Sequence, residues 1–183
     1  MDKGAFLDRD GVINHDHAYV HRIEDFDWVD GILDAARRLH AAGYRLIIVT
    51  NQSGIGRGYY SEADFERLNA AIRAQFVEAG APLSGIYFCP HHPEKALEPY
   101  RIRCDCRKPE PGMILQAAKD LNIDLTQSVM FGDKQSDMKA ALRAGIPTRV
   151  LVGTDGSARP DPVPECTHTA RTVFESLDQL SAL

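Results

Sequence analysis

Long apolar stretches, an excess of positive charge and abundant cysteine are all missing from this chain. No segment approaches the roughly 18 consecutive apolar residues that a membrane-spanning helix needs, so no membrane contact is expected. Acidic residues outnumber basic ones by 26 to 21, and the net charge of −5 argues against a general affinity for nucleic acid or anionic membranes. The short run before Asp8 is too brief for a signal peptide, so we expect a cytoplasmic protein.

Short apolar runs alternate with amphipathic helical stretches along the chain. The runs that predict β-strands are Ala5–Leu7, Tyr44–Thr50, Gly85–Cys89, Ser128–Phe131 and Arg149–Val152. The stretches that predict helices are Gly31–His40, a segment capped by Ser61, Pro111–Leu121, Asp133–Ala144 and Val173–Leu183. Gly153–Pro164, rich in Gly, Pro and Asp, is predicted to be a loop. The alternation predicts an α/β fold with a doubly wound, mainly parallel sheet, and residues 1–183 are expected to form one domain.

Two aspartates stand at the end of the first predicted strand. Asp8 and Asp10 flank Arg9 and precede Gly11. In an extended chain the side chains at i and i+2 point the same way, so both carboxylates are expected to face one crevice. Their mutual repulsion must be relieved by a cation or by a shared proton. A solvated turn is the simpler interpretation of such a pair, but the apolar strand before it and the glycine after it weigh against that.

The ends of two later strands carry glycine and polar residues. Thr50–Gly58 has glycines at alternate positions, which let N–H groups approach an anion closely, although a flexible turn has the same composition. Asp133 follows Gly132, and Asp137 lies four residues further along the predicted helix. A helix N-cap explains Asp133 adequately, but a third carboxylate at the edge of the first pair would complete an oxygen-rich Mg²⁺ site.

Three of the four cysteines lie in two short motifs with a histidine. The candidate ligands are Cys89, His91, Cys104 and Cys106, with His92 as an alternative to His91. Three thiolates and one imidazole match a closed tetrahedral Zn²⁺ site with a structural role. Unrelated thiols or a disulfide are the alternatives, and a cytoplasmic location favours the metal. Cys166 lies outside this set and is expected to be a free thiol.

Basic residues follow the cysteine motifs directly. Arg107 and Lys108 come immediately after Cys106, and with Arg101 and Arg103 they form the most basic patch of the chain. A solvated charge cluster is the default interpretation of such a run. Its position just after a rigid metal loop favours recognition of an anion.

The order of these motifs resembles that of the haloacid dehalogenase (HAD) superfamily of phosphatases. The resemblance is carried by Asp8-x-Asp10, Thr50, Lys108 and Gly132-Asp133-x-x-x-Asp137, and it extends from Asp8 to about Val152. Within the superfamily, the cysteine box followed by Arg-Lys-Pro is similar to that of the heptose-1,7-bisphosphate 7-phosphatase family and of the related histidinol-phosphate phosphatases. The Ser-Gly-Ile-Gly-Arg-Gly segment favours the first family. The resemblance to that first family implies an Mg²⁺-dependent enzyme that makes precursors of activated heptose for lipopolysaccharide or another glycan.

The resemblance also implies a role for each motif residue. Asp8 would attack phosphorus and form an aspartyl-phosphate, while Asp10 would protonate the leaving oxygen and then activate water. Thr50 and Lys108 would stabilise charge on the transferring oxygens. The implied Mg²⁺ ligands are Asp8, the main-chain carbonyl of Asp10 and Asp133, with Asp137 outside the direct ligands. The implied substrate-binding residues are Asp16, His17, Ala18, Tyr19, Asn51, Gln52, Ser53, Arg107 for a second phosphate, and Lys134.

The short interval between Asp10 and Asn51 leaves no room for a large cap domain. Specificity would then come from short loops and from the zinc loop at about residues 89–106. We expect a small sugar bisphosphate as the substrate and a monomeric protein. Two alternatives stay open: a histidinol-phosphate or other small-molecule phosphatase, and an inactive zinc-loop protein that only binds a partner. Intact reaction groups in all four motifs argue against the second alternative.

Overall fold

The computed structural model describes residues 1–180, which form a six-stranded sheet with helices packed on both faces. The strands are β1 (Asp2–Leu7), β2 (Tyr44–Asn51), β3 (Leu83–Cys89), β4 (Ile123–Gly132), β5 (Thr148–Val152) and β6 (His168–Ala170). The helices are α1 (Ile32–Ala41), α2 (Ser53–Gly56), α3 (Glu62–Glu78), α4 (Gly112–Leu121), α5 (Gln135–Ala144) and α6 (Val173–Gln179). One-turn 3₁₀ helices lie at Ile23–Asp25 and Thr154–Gly156.

The strand order is β3-β2-β1-β4-β5-β6, and every pairing is parallel. β1 lies between β2 and β4, so that Ala5 is opposite Leu46 on one side and Val129 on the other. The chain winds outward from β1 through β3 and then returns to β4, which makes the β1–β4 boundary a switch point of the topology. Open α/β sheets bind ligands beyond the carboxyl ends of the strands at such a point. The predicted doubly wound parallel fold is confirmed.

The core has two layers, one on each face of the sheet. Ala5 and Leu7 pack into the layer that contains α1, α3 and α6, whereas Phe6 packs into the opposite layer with α4 and α5. All three side chains are fully buried. A slip of one residue would exchange the two faces of β1, so burial fixes its register. The strand therefore delivers Asp8 to a defined position at the edge of the sheet.

Several element boundaries differ from the sequence prediction. β1 begins at Asp2 and β4 at Ile123, because the main-chain pairing between these two strands starts before their apolar runs. α5 begins at Gln135, since Lys134 has an extended conformation (φ −126°, ψ 152°) and forms the N-cap. Ser61 caps α3 as predicted, accepting a hydrogen bond from the Asp64 N–H.

The sequence prediction missed the shortest strand and the shortest α-helix. β6 has only three residues and no apolar alternation, and α2 is a single turn inside the glycine-rich segment. The last helix ends at Gln179, and residues 181–183 of its predicted extension lie outside the described range.

Only a 3₁₀ turn and α1 lie between β1 and β2, in agreement with the expected lack of a large cap domain. None of the helices in the described part of the chain is long and apolar enough to cross a membrane.

Candidate active site

Three neighbouring strands bring the predicted motifs to one edge of the sheet. Asp8 directly follows β1, and its N–H donates a 3.0 Å hydrogen bond to the carbonyl of Phe131 in β4. Thr50 lies near the end of β2, and Asp133 directly follows β4. Parallel pairing therefore places side chains from distant parts of the sequence side by side.

A buried lysine binds two carboxylates at this edge. Lys108 Nζ lies 2.8 Å from Asp8 Oδ1 and 2.6 Å from Asp137 Oδ1, and it donates a further 2.8 Å hydrogen bond to the Val49 carbonyl. One carboxylate oxygen from each of Asp8, Asp133 and Asp137 lies within 4.8 Å of the other two. One buried ammonium group thus pairs with two of the three acidic side chains, and the exposed Lys134 adds a second positive charge nearby.

Burial and the neighbouring charges change the pKa of Asp8, Asp133 and Lys108. Burial raises the pKa of Asp8 to about 8, with Lys108 opposing the shift and the other two carboxylates adding to it. Burial and the neighbouring Asp137 raise the pKa of Asp133 to about 6. Burial alone would lower the pKa of Lys108, but Asp137 and Asp8 outweigh it and raise that pKa. Lys134 opposes the shift of Asp133 without cancelling it, so the three carboxylates still lack positive charge.

The donor set fits a hard divalent cation. Asp133 Oδ1 is buried and has no hydrogen-bond partner within the described residues, while Asp133 Oδ2 accepts a 3.0 Å hydrogen bond from Thr154. Carboxylate oxygens are the ligands that Mg²⁺ prefers in proteins, and a cation would satisfy the unpaired oxygen and relieve the repulsion. Gly11 and Gly132 lie directly against the carboxylates of Asp133 and Asp137, so the backbone is shaped around this group.

Asp10 lies outside the three-carboxylate group. Its carboxylate accepts hydrogen bonds from Arg9 (2.9 and 3.1 Å), Asn14 (3.0 Å) and Gln52 (3.0 Å). Burial alone would raise the pKa of Asp10, but the Arg9 guanidinium and these hydrogen bonds lower it. Gln52 also donates to Thr50 Oγ1 at 2.8 Å and accepts a hydrogen bond from Tyr60. Asp10 is therefore held as a carboxylate by a buried network.

The cysteine motifs form one compact cluster. The Sγ atoms of Cys89, Cys104 and Cys106 and a ring nitrogen of His91 lie within 4.8 Å of one another. The 3.0 Å contact between Cys106 and Cys89 lowers the pKa of Cys106 to about 5 and raises that of Cys89. His92 lies elsewhere, because its Nδ1 accepts the N–H groups of Glu94 and Lys95. Three sulfurs and one imidazole in this arrangement match the donor set of a tetrahedral Zn²⁺ site.

Two side chains connect the cysteine cluster to the catalytic edge. Asn51 binds the main chain of Lys108 on both sides: its Oδ1 accepts the N–H at 3.1 Å and its Nδ2 donates to the carbonyl at 3.2 Å. Arg107 donates a 3.3 Å hydrogen bond to the carbonyl of His91. The loop that carries the cluster therefore also sets the position of Lys108.

A cavity of about 580 Å³ opens beside this edge. Its lining residues include most of the predicted substrate-binding set, namely Asp16, Ala18, Tyr19, Asn51, Gln52, Ser53, Arg107 and Lys134. Asp10 and Lys108 also line it, so the cavity leads to the carboxylate group.

His17 is not brought to this cavity, because it lies against Asp27 at 3.2 Å. Lys134 does not reach Asp8 by hydrogen bond in this structure; its ammonium lies 3.8 Å from Asp16.

Comparisons with known proteins identify the family. A family model described as HAD-hydrolase-like matches residues 105–180. The D-glycero-β-D-manno-heptose-1,7-bisphosphate 7-phosphatase of Escherichia coli K12 is 48% identical over 175 residues, which are 96% of this chain and 90% of that protein. The chain belongs to this phosphatase family. The Haemophilus influenzae protein of the same name is 52% identical over 154 residues, 84% of this chain and 83% of its own.

A solved structure of the heptose-bisphosphate phosphatase family has the same fold. The D,D-heptose 1,7-bisphosphate phosphatase from B. bronchiseptica, complexed with magnesium and phosphate, superimposes with a TM-score of 0.82. It is 29% identical, and the alignment covers 98% of each chain. As a member of this family of HAD hydrolases, the chain is a phosphoric monoester hydrolase.

Two contributors to the site were not predicted from the sequence. Thr154, which begins the 3₁₀ helix after β5 and belongs to no motif, donates a hydrogen bond to Asp133. Arg9 is the middle residue of the Asp-x-Asp motif and is fully buried against Asp10. Asp137, expected near the metal but outside its direct ligands, lies beside Asp8 and Asp133 and pairs with Lys108. The four-residue spacing of Asp133 and Asp137 is the signal that indicated Asp137, and no motif signal was available for Thr154.

Proposed function

We propose that the protein removes the 7-phosphate of D-glycero-β-D-manno-heptose 1,7-bisphosphate through an aspartyl-phosphate on Asp8. The observation that carries the proposal is the buried contact of 2.8 Å between Lys108 and Asp8, inside a group of three carboxylates at the carboxyl edge of the sheet. Relatives about 50% identical bear the name of that activity, and they support the β anomer as the substrate.

In the first step, an Asp8 oxygen attacks phosphorus opposite the sugar oxygen. The new bond joins the carboxylate to phosphorus, and the bond between phosphorus and the sugar oxygen breaks. Lys108 holds the carboxylate through Oδ1 and is near enough to stabilise negative charge on the transferring phosphoryl group. Thr50, buried beside Gln52, supplies a hydroxyl on the same side.

Asp10 is the proposed acid and then base. As an acid it must take up a proton and turn from Arg9 toward the leaving oxygen, because its carboxylate is bonded to Arg9, Asn14 and Gln52. As a base it removes a proton from the water that attacks the aspartyl-phosphate, and the lowered pKa of Asp10 favours the carboxylate form needed there. The water oxygen then bonds to phosphorus, the bond between phosphorus and the Asp8 oxygen breaks, and phosphate leaves.

The proposed catalytic metal is Mg²⁺, held by Asp8, Asp133 and the Asp10 main-chain carbonyl. The buried, unpaired Asp133 Oδ1 supports this assignment. When bound, Mg²⁺ would supply positive charge against the nucleophile and the phosphoryl oxygens. Asp137, paired with Lys108 at 2.6 Å, orients that lysine and adds to the negative charge that the cation balances.

We also propose that the cysteine cluster binds a structural Zn²⁺. Four ligands leave no position open for substrate, so the ion would act by fixing the loop. Its effect on the reaction would pass through Lys108 and Arg107, which are bonded to Asn51 and to the His91 carbonyl.

The test compares phosphate release from the α and β anomers of the heptose bisphosphate and from histidinol phosphate, with Mg²⁺ present. The proposal expects the β heptose bisphosphate to have the highest kcat/KM, and a preference for histidinol phosphate would contradict it. Asp8→Asn should abolish turnover while the thermal unfolding temperature stays high, because the amide keeps the shape of the side chain. Normal turnover of that variant would exclude covalent catalysis by Asp8.

A further inference from the structure

The glycine-rich segment and the cysteine loop meet beside the cavity. The Gly56 carbonyl accepts a 2.7 Å hydrogen bond from the N–H of Leu97, which joins the two segments. A β-carbon built on Gly56 would lie 2.4 Å from the Pro90 carbonyl oxygen, so no side chain fits at this junction. Arg57 is the next residue, and its position is therefore set by both segments.

The Arg57 side chain has no counterion in residues 1–180. Its Nε is buried without a hydrogen-bond partner, and the described part of the chain offers it no ion pair. The guanidinium lies over the ring of Tyr19, 5.7 Å from its centroid. Tyr19 lines the cavity, so Arg57 packs against a lining side chain without being one of the lining residues itself.

A second arginine beside the cavity also forms no ion pair within residues 1–180. Arg107 lines the cavity and binds only a main-chain carbonyl, that of His91, among the described contacts. Arg57 and Arg107 both lie close enough to His92 that, after burial, they are the next causes that lower its pKa. Two partly buried guanidinium groups without carboxylates, in a protein of net charge −5, make a local positive site.

We propose that Arg57 acts with Arg107 as a two-arginine site for the phosphate that the enzyme does not remove. The inference rests on the proposed function, because it assumes a substrate with two phosphates. Guanidinium suits the site, since its planar fork donates two parallel hydrogen bonds to phosphate oxygens. Lys108 holds Asp8 at the reacting end, while the two arginines would bind the far end of the sugar.

The test measures KM and kcat for the heptose bisphosphate and for the same heptose carrying only the 7-phosphate. Arg57→Ala should raise KM for the bisphosphate by about tenfold or more, the usual effect of losing a hydrogen bond to a charged group. The KM for the monophosphate and both kcat values should stay close to those of the unsubstituted enzyme. Arg57→Lys should have an intermediate effect, because it keeps the charge and loses the fork.

Arg73→Ala is the matched control, since it removes the same charge from an exposed position on α3. It should change neither KM. If Arg57 only supports Tyr19, Arg57→Ala will raise KM equally for both substrates, and this result would overturn the proposal. An unchanged KM for the bisphosphate would overturn it too.

Calorimetric binding of both heptose phosphates to the Asp8→Asn protein separates this inference from the proposed function. Weaker binding of the bisphosphate alone, when Arg57→Ala is added, supports the two-arginine site whether or not the enzyme turns over. Equal binding with and without Arg57 refutes the site even if the unsubstituted enzyme is an active heptose-bisphosphate phosphatase. Lack of turnover by the unsubstituted enzyme contradicts only the proposed function.

Discussion

A β-carbon built on Gly11 would lie 2.3 Å from Oδ2 of Asp133. Gly11 has a φ of +87°, so the turn after Asp10 needs glycine both for its conformation and for the space that the carboxylate occupies. Two loops that are far apart in sequence are thus in direct contact at the proposed Mg²⁺ site.

Gly11→Ala should therefore displace Asp133 and weaken Mg²⁺ binding. We expect the Mg²⁺ concentration for half-maximal activity to rise by about tenfold or more, which corresponds to about 1.4 kcal/mol of lost interaction. Titration of activity with Mg²⁺ measures it. Gly145→Ala is the control: Gly145 has a similar φ of +88° but no atom within 4 Å of an added β-carbon. Both variants should lose about 1 kcal/mol of stability. Equal Mg²⁺ requirements in the two variants would count against the contact.

Removal of Lys108 should affect both stability and rate. Lys108→Ala leaves Asp8 and Asp137 without their buried cation, and breaking a buried ion pair costs about 3–5 kcal/mol. Denaturant unfolding without Mg²⁺ would show the loss, and added Mg²⁺ should restore part of it. Turnover should fall by about a hundredfold or more, because the transferring oxygens lose a charged donor. Lys119→Ala, at an exposed position on α4, should change neither quantity.

Loss of the proposed Zn²⁺ should act through the loop that carries Lys108. Cys104→Ser should lower the zinc content, lower the unfolding temperature and raise KM, because Arg107 and Lys108 follow the cluster directly. Metal analysis, thermal unfolding and steady-state kinetics on one preparation test this. Cys166→Ser provides the comparison, since Cys166 lies outside the cluster. A zinc-free Cys104→Ser enzyme with unchanged KM would argue that the loop keeps its shape without the ion.

Stability without Mg²⁺ should depend on pH. The pKa of Asp8 is about 8 in the folded protein against an ordinary value of 3.8, and that of Asp133 is about 6. At pH values between the ordinary pKa of each carboxyl group and its raised pKa in the folded protein, the folded state retains protons that the unfolded chain has released. The free energy of unfolding should therefore decrease as the pH rises from the ordinary value toward about 8.

Saturating Mg²⁺ should reduce this decrease, because the cation replaces the retained protons. Denaturant titrations at several pH values, with and without Mg²⁺, measure the difference. Asp8→Asn should show a shallower dependence because it lacks the group with the larger shift. A metal-free protein whose stability rises over the same interval would contradict the assignment of burial as the dominant cause.

Much of the fold could be predicted from the sequence because it is encoded locally. Apolar runs of strand length alternate with amphipathic stretches, and the Ser61 cap and the Gly145 stop mark helix ends within a few residues. The pattern does not reveal β6, because its three residues are held by main-chain pairing with β5 rather than by apolar side chains. Edge strands of this length leave almost no compositional signal.

The candidate site could be predicted only in part, for a similar reason. Asp8 and Asp133 belong to short motifs at strand ends, so parallel topology brings them together, whereas Lys108 is placed beside them by the loop after the cysteine cluster and by Asn51. The partners of Asp10 are different: Gln52 comes from another strand end, 42 residues away, and its orientation depends on Tyr60. Side-chain networks of this kind depend on packing, which motif spacing does not describe.

The proposed active site lies at the carboxyl edge of the parallel sheet, and the amino edge lies at the opposite end of the strands. The turn at Gly80, between α3 and β3, is exposed and stands at the amino end of β3, with open space around it. A seven-residue strand spans roughly 20 Å, so this turn lies about that far from the carboxyl edge. A fluorophore or a surface tether attached there should report on the enzyme, or immobilise it, without obstructing the entry of substrate.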